Sequence, residues 1–419
     1  MKSNYKPIGD YVKQVKLKNT DNSLTVEHLR GIRINKEFMP SVANVTGTDL
    51  SKYRVVKRYQ FAYNPMHVGR DEILPISMLA DEEAIIVSPA YVIFEIIDTN
   101  ELLPEYLMIW CRRSEFDRNA WFTTDSSVRG GFSWDDFCGL ELPVPSIDKQ
   151  KEIVKEYHTI TNRIKLNEQL NKKLEDTAQA IYKEWFVDFE FPNEDGKPYK
   201  SSGGEMEYSD ELDMDIPENW KEEQLRTLID IQNGYAFKSH ELQEKGLYPI
   251  IKIKNINSPN IDLTDSQYYP DLINEQLEKY IIKDGDILIS MTGSSMNQMN
   301  SAVGQVGRYT DKFKSLLNQR VGKLIPRKEL NCRFYIYFFI IMPNTHLTLL
   351  MGATGSANQA NISPDQIKSL KILVPSKQVL NQFEIKIKTI MNFSDIKFLE
   401  TKELYNLKDI LLSKMSIIS

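Results

Sequence analysis

The chain has 419 residues, 41% of them hydrophobic and 26% charged, with a formal net charge of −6. Such a length holds about two to four domains, and the composition excludes a chain disordered throughout. The charge is uneven: ten carboxylates against Lys197 and Lys200 between Glu190 and Glu218 give a local −8 and leave +2 elsewhere, so a polyanionic partner is compatible with the acidic total.

The opening MKSNYKPIGDYVKQVKLKN has no apolar signal region, and no segment approaches about 18 consecutive apolar residues, which predicts a cytoplasmic protein. Residues 1–147 mix short β-rich runs, such as Ala84 to Ile97, with turn clusters and one predicted helix from Pro104 to Phe116. Cys111, Cys138 and Cys332 are widely spaced and read as reduced core thiols, and five histidines leave little material for a zinc site.

At Thr124 the chain begins a passage that it repeats. TDSSVRGGFSWDDFCGLELPVPS, ending at Ser146, aligns without a gap on TGSANQANISPDQIKSLKILVPS from Thr354 to Ser376. The pairs Ser133/Ser363, Asp135/Asp365, Leu140/Leu370, Val144/Val374 and Pro145/Pro375 are identical. That spacing is far longer than a solenoid repeat and implies a duplicated domain.

A long helix is predicted after each copy, in one shared heptad register. The first seam runs Ile153, Tyr157, Ile160, Ile164, Asn167, Asn171, Leu174, Ala178, Ile181, Trp185; the second runs Phe383, Ile387, Ile390, Ser394, Lys397, Thr401, Leu404, Lys408, Leu411, Met415. Both turn polar in the middle, and those polar residues either sit in the seam and fix its register or face solvent. The stretch Ile153 to Trp185 would span about 50 Å, more than one domain core needs.

The acidic passage rich in Gly, Ser and Pro reads as a solvated tether. Beyond it, Tyr248 to Ile256 alternates as a strand does, Asp284-Gly285 predicts a turn before a strand ending at Ser290, and FYIYFFIIM at Phe334 to Met342 reads as a buried helix or strand. The expected organisation is therefore a first domain over 1–147, a central helix over 148–188, an acidic linker over 189–217, a second domain over 218–377 and a distal helix over 378–419.

Pro217-Glu218-Asn219-Trp220, NGYAFKS at Asn233 to Ser239, GDILISMTG at Gly285 to Gly293 and LLNQRVGKL at Leu316 to Leu324 together resemble the target-recognition domain of type I restriction–modification specificity subunits. IYKEWFVDFEFPNEDGKPYKSSGG at Ile181 to Gly204 is similar to their central spacer region. The resemblance covers almost the whole chain in order. It implies an α+β fold: two similar target-recognition domains separated by two long antiparallel coiled-coil helices in a pseudo-two-fold arrangement. It also implies a non-catalytic DNA-binding subunit that reads a bipartite site and positions two adenine methyltransferase subunits and two restriction subunits. Those partners would carry S-adenosylmethionine, ATP and Mg, with no cofactor in this chain. The first domain lacks the FKS and NQR phrases, as expected if the two halves of the site differ.

The residues agree with a non-catalytic role. There is no glycine-rich turn opening a helix after a strand, no Asn/Asp-Pro-Pro-aromatic loop, and no GxxxxGK[ST] phosphate loop. Pro270-Asp271 with Glu278 and Lys279 is only a chance-level nuclease spacing among 58 acidic residues. Readout chemistry is better supplied, because phosphates take Lys, Arg and small hydroxyls whereas base edges favour Arg, Asn and Gln. Candidates in the second domain are Lys238, Lys252, Lys254, Thr292, Ser294, Asn297, Gln298, Asn318, Gln319, Arg320, Ser356 and Asn358. In the first they are Arg58, Tyr63, Asn64, His67, Arg70 and Arg129. Trp110, Trp121 and Trp134 read as core rather than as stacking platforms, and His67 as a turn residue. The spacer is expected to rest on Ile160, Asn167, Asn171, Leu174, Ile390, Lys397, Leu404 and Leu411. Two rival readings are a protein-binding helical scaffold, which predicts no Lys/Arg clustering on either domain, and an autonomous nuclease or methyltransferase, which predicts a carboxylate-lined or methyl-donor pocket.

Overall fold

The computed structural model describes residues 5–41, 47–66, 68–124, 131–270, 272–293, 302–356 and 359–417, without the side chains of 69, 70 and 356. The fold is α+β, with β-rich domains joined by two long helices that pack together. Two compact units divide the chain, one formed by residues 1–165 and 402–419, the other by residues 166–401.

In the first unit an antiparallel sheet has the order Val12–Val15, Val92–Ile96, Phe61–Tyr63, Ile76–Met78. Phe61 stacks on Phe94 at 4.7 Å, and the helix Pro104–Cys111 closes this core. The expected single helix from Pro104 breaks at Arg112 and restarts as Ser114–Thr123. The break lets Arg113 lie 4.1 Å over the Trp110 ring while Phe116 and Ala120 turn into the core.

The second unit holds a six-stranded sheet ordered Ile229–Asn233, Val321–Pro326, Ile287–Ser290, Val306–Arg308, Asn260–Ile261, Ile256–Asn257. A four-stranded sheet, Gln267–Tyr269, Tyr248–Ile251, Ser315–Leu317, Ile281–Ile282, lies in the same unit. The strand expected to run to Ile256 stops at Ile251. There the buried Asn255 accepts the Lys252 N–H at 2.9 Å and donates to the Asp262 carbonyl at 2.8 Å, curling 253–255 into a 3-10 turn. Asp284-Gly285 does form the turn, with Gly285 at φ +85, a value glycine adopts without a Cβ penalty.

The repeated passage folds alike in both units. Ser133 caps the helix Trp134–Gly139 and Ser363 caps Pro364–Lys368, each with a reciprocal capping box. The strand that follows pairs antiparallel with the domain's opening strand: Glu141–Pro143 with Tyr5–Pro7, and Lys371–Val374 with Lys221–Gln224.

Each long helix also reaches back to the same place in its unit. Gln150 accepts the Leu103 N–H at 2.9 Å just before Pro104–Cys111, and Glu384 accepts the N–H groups of Phe334 and Tyr335 at 2.6 and 2.9 Å. The latter pair opens the helix Arg333–Ile341, which is the FYIYFFIIM run and is largely buried. No single helix among the described residues is long and apolar enough to cross a membrane.

Burial pushes the Glu384 carboxyl up to about 7, against the opposing pull of its two N–H donors. The folded state therefore holds this proton more tightly than the unfolded state. Stability should be fully expressed below the ordinary Glu value and fall as pH rises toward 7, by about 3 kcal/mol for a shift of this size. Glu384→Gln keeps an acceptor for both N–H groups and removes the ionisation. Its urea midpoint should match the parent near pH 4.5 and exceed it at pH 8; equal midpoints at both would rule the effect out.

The first long helix is Ile147–Phe186, the second Lys377–Lys414. Every predicted seam position is buried or half-buried. In the first unit Ile153 and Tyr157 share a core with Met415, flanked by Leu411; in the second, Tyr182, Trp185 and Phe186 pack on Phe383 at 4.8 to 6.0 Å. Early residues of one helix thus meet late residues of the other, an antiparallel pair. The polar centre lies in the seam and not in solvent: Asn167, Ser394 and Thr401 are 2%, 3% and 8% exposed. The Asn171 amide bonds the Ser394 carbonyl at 3.1 Å and the Phe398 N–H at 3.2 Å. Ile160, Leu174, Ile390, Lys397 and Leu404 are half-buried.

The acidic passage corrects the expectation of a solvated tether. Phe189, Phe191 and Ile216 are buried, Phe191 stacks on Tyr199 at 4.5 Å and on Trp220 at 5.1 Å, and Met206–Ser209 pairs with Met214–Pro217 as a hairpin. Its carboxylates remain largely exposed while its aromatic residues anchor it to the second unit.

Candidate nucleic-acid interface

The second unit gathers the recognisable phrases around one tight turn. Asn318, Gln319 and Arg320 connect Ser315–Leu317 to Val321–Pro326. Asn318 N–H bonds the Ile251 carbonyl at 3.2 Å, Gln319 N–H the Tyr235 carbonyl at 3.0 Å, and the Arg320 carbonyl accepts Met291 N–H at 3.0 Å. Gly234 lies so close that a Cβ there would come 2.2 Å from the Asn318 carbonyl oxygen, so only glycine lets the NGY segment approach.

The third segment joins through Met291, whose carbonyl accepts Ile362 N–H at 2.9 Å, and through Thr292 and Gly293, which pair with Asn361 and Ala360. The hairpin Thr354–Ser356 with Gln359–Asn361 completes the group, and Arg320 Nη1 lies 3.5 Å from Asn361 Oδ1. Main-chain hydrogen bonds therefore tie the stretches at Tyr235, Ile251 and Met291 to one turn, and the hairpin joins them through Met291–Gly293. Such a support holds exposed side chains in defined directions at little further entropic cost.

Gln319 and Arg320 are exposed on this turn and Asn318 is half-buried. Lys238 is exposed at the end of the NGYAFKS segment, where its N–H bonds Glu241 at 2.7 Å. Lys252 follows directly on the strand that meets Asn318; its ammonium reaches Gln267, and burial together with the neighbouring Lys254 lowers its affinity for a proton. Lys254 is exposed. Thr292 corrects the sequence reading: it is 5% exposed, closed off by the strand pairing it helps to make. Ser294, Asn297, Gln298 and Asn358, and the side chain of Ser356, lie outside the described residues.

In the first unit Tyr63 is a second correction. It is wholly buried, with Phe94, Phe132 and Phe137 at 6.4, 6.0 and 5.3 Å, and so is part of the domain core rather than a contact for a ligand. Arg58 is exposed, pairs with Glu83 at 3.1 Å and lies over Tyr59; an exposed pair of this kind exchanges readily for a phosphate. Asn64 accepts the Met66 N–H at 3.0 Å, an Asx turn that Phe132 N–H ties to the repeated passage through the Pro65 carbonyl. His67, Arg129 and the Arg70 side chain lie outside the described residues. Trp110 is buried and Trp134 packs on Phe137, but Trp121 is 36% exposed, contrary to the expectation of a core residue.

Residues 217–409 match the family model described as type I restriction modification DNA specificity domain. A Haemophilus influenzae type I restriction enzyme HindI specificity subunit is 22% identical over 91% of each chain, and a putative Methanocaldococcus jannaschii MjaX specificity subunit is 30% identical over 42% of each. The fold is that of the type I restriction–modification system S subunit from M. genitalium, with a TM-score of 0.57 at 16% identity over 98% of this chain and 95% of that one.

The chain belongs to the type I restriction–modification specificity subunits. Subunits of this family are non-catalytic within the restriction–modification complex, and DNA-site recognition comes with the family. Among the described residues of this specificity subunit no cluster of His, Cys, Asp and Glu is arranged to hold a metal ion. Sequence reasoning missed two kinds of residue here. Tyr235 and Asn361 frame the Asn318–Arg320 turn, and the glycine preceding Tyr235 was the available signal. Arg308, Glu175 and Asp395 meet in the interior, and no local pattern marks them because each lies on a different element.

Proposed function

We propose that this specificity subunit reads a bipartite DNA site, one half with each domain, and holds adenine methyltransferase and restriction subunits in register on it. The observation that carries this is the convergence of NGYAFKS, the Asn318–Arg320 turn, Met291–Gly293 and the Thr354–Asn361 hairpin, which presents Lys, Arg, Asn and Gln together. Those are the side chains suited to phosphates and to purine edges in the major groove. The duplicated passage and the shared helix register support two methyltransferase copies docked in equivalent ways. S-adenosylmethionine, ATP and Mg then belong to those partners.

Mapping adenine methylation in a host that carries this chain with its methyltransferase tests the reading. A single two-part motif that vanishes with the chain is expected; methylation independent of the chain, or an undivided motif, would sink it. In the purified complex, Arg320→Ala or Lys238→Ala should weaken DNA binding. A residue contacting only phosphate loses affinity evenly across sequences and lowers the salt slope by about one, whereas a base contact costs about 1–3 kcal/mol at one position. Unchanged affinity and slope for both would remove this turn from the interface.

A further inference from the structure

Arg308 ends the strand Val306–Arg308 and is 3% exposed. Its Nη2 lies 2.7 Å from Glu175 Oε1 on the first long helix and 3.0 Å from Asp395 Oδ1 on the second. The guanidinium also lies 5.1 Å over Tyr337, and Nη1 is 3.7 Å from Met391 Sδ. Thr310 donates to the same Asp395 oxygen at 3.4 Å. One buried cation thus grips both helices, the central sheet and the helix Arg333–Ile341 of the second unit.

Stability alone does not call for this arrangement. Well-packed apolar residues of similar volume are often as stable as a buried ion cluster or more so, because desolvation offsets the Coulomb gain. What the cluster adds is direction. Apolar ridges in a helix seam tolerate small slides and rotations, whereas Nη2 of this planar guanidinium, held over the Tyr337 ring, reaches both carboxylates only when both helices stand at one height to the strand. The surrounding seam is already polar at Asn167, Asn171, Ser394 and Thr401, so directional contacts govern its register over several turns.

We propose that Arg308 is a positioning residue for site selection: by clamping Glu175 and Asp395 it fixes the second recognition domain on the helix pair and thereby restricts the gap accepted between the two half-sites. This rests on the bipartite reading above. Arg308 is buried and offers no exposed group to a ligand, so its loss should leave the half-site sequences intact and loosen only their spacing.

The test maps adenine methylation with the full chain and its methyltransferase, comparing the parent with Arg308→Lys and with the charge-free combination Arg308→Met, Glu175→Gln, Asp395→Asn. Lysine keeps the charge but not the planar group that lies over Tyr337. Expected for both is the parent pair of half-site sequences, with methylation at gaps one base pair shorter or longer raised roughly tenfold over the parent, a factor equal to about 1.4 kcal/mol of lost discrimination. A melting curve of each purified variant reports folding separately. The parent gap alone in a folded variant overturns the proposal, as does any change in half-site sequence. Should the combination not accumulate, Arg308→Lys decides by the same criteria. A parent without a two-part motif would instead overturn the bipartite reading itself.

Discussion

Arg308→Ala is expected to destabilise the second unit by about 3–5 kcal/mol, because truncation leaves Glu175 and Asp395 buried together without their cation. Burial already raises the Glu175 carboxyl above the ordinary range even with the guanidinium beside it. Without Arg308 that rise grows, so the folded variant takes up protons more readily than the unfolded chain. Its deficit should therefore be largest near pH 8 and shrink as pH falls toward the ordinary Glu range. Urea denaturation of the full chain at pH 5 and pH 8 measures both effects. A loss under about 1 kcal/mol, the size of a surface pair, would show that water compensates the carboxylates and that the cluster is not buried in solution.

Lengthening the helix pair should change the gap of the recognised site without changing its halves. Four residues inserted near Asn167 add about 6 Å and roughly preserve the packed face. Asn171 faces Ser394 and Phe398, so the matching insertion in the second helix belongs between Lys397 and Thr401. At about 3.4 Å per base pair the preferred gap should shift by one or two base pairs. Both insertions are needed, since one alone would offset every seam contact beyond it, including the Arg308 clamp. Methylation mapping reads the outcome: altered half-site sequences, or an unchanged gap in a fully active complex, would contradict a spacing role for the helices.

Much of the candidate interface was legible only as a set of phrases. Asn318, Gln319, Arg320 and Lys238 could be named from side-chain chemistry, but the same chemistry also selected Tyr63 and Thr292, which are buried. Tyr63 sits in the short strand Phe61–Tyr63, where three successive residues are all buried, so no alternation of polar and apolar residues distinguished an inward ring from an outward one. Thr292 is covered by Asn361, a neighbour in space almost seventy positions away in the chain. The acidic passage misled in the same way: carboxylate density described its surface, while Phe189, Phe191 and Tyr199 decided where it packs.

By itself the sequence determined the duplication, the two long helices and the seam each presents. Those features are written in periodicity, and the 3.5-residue repeat of a seam or the Ser-x-x-Asp/Gln box at a helix start acts within one or two turns of the chain. The tertiary structure alone decided which phrases share a turn, which polar seam residues are buried, and that Arg308 meets Glu175 and Asp395. The Arg308 contacts join residues about 90 to 130 positions apart, and whether a charged or polar side chain is exposed, paired or enclosed depends on the dielectric and partners that packing supplies, which no local pattern encodes.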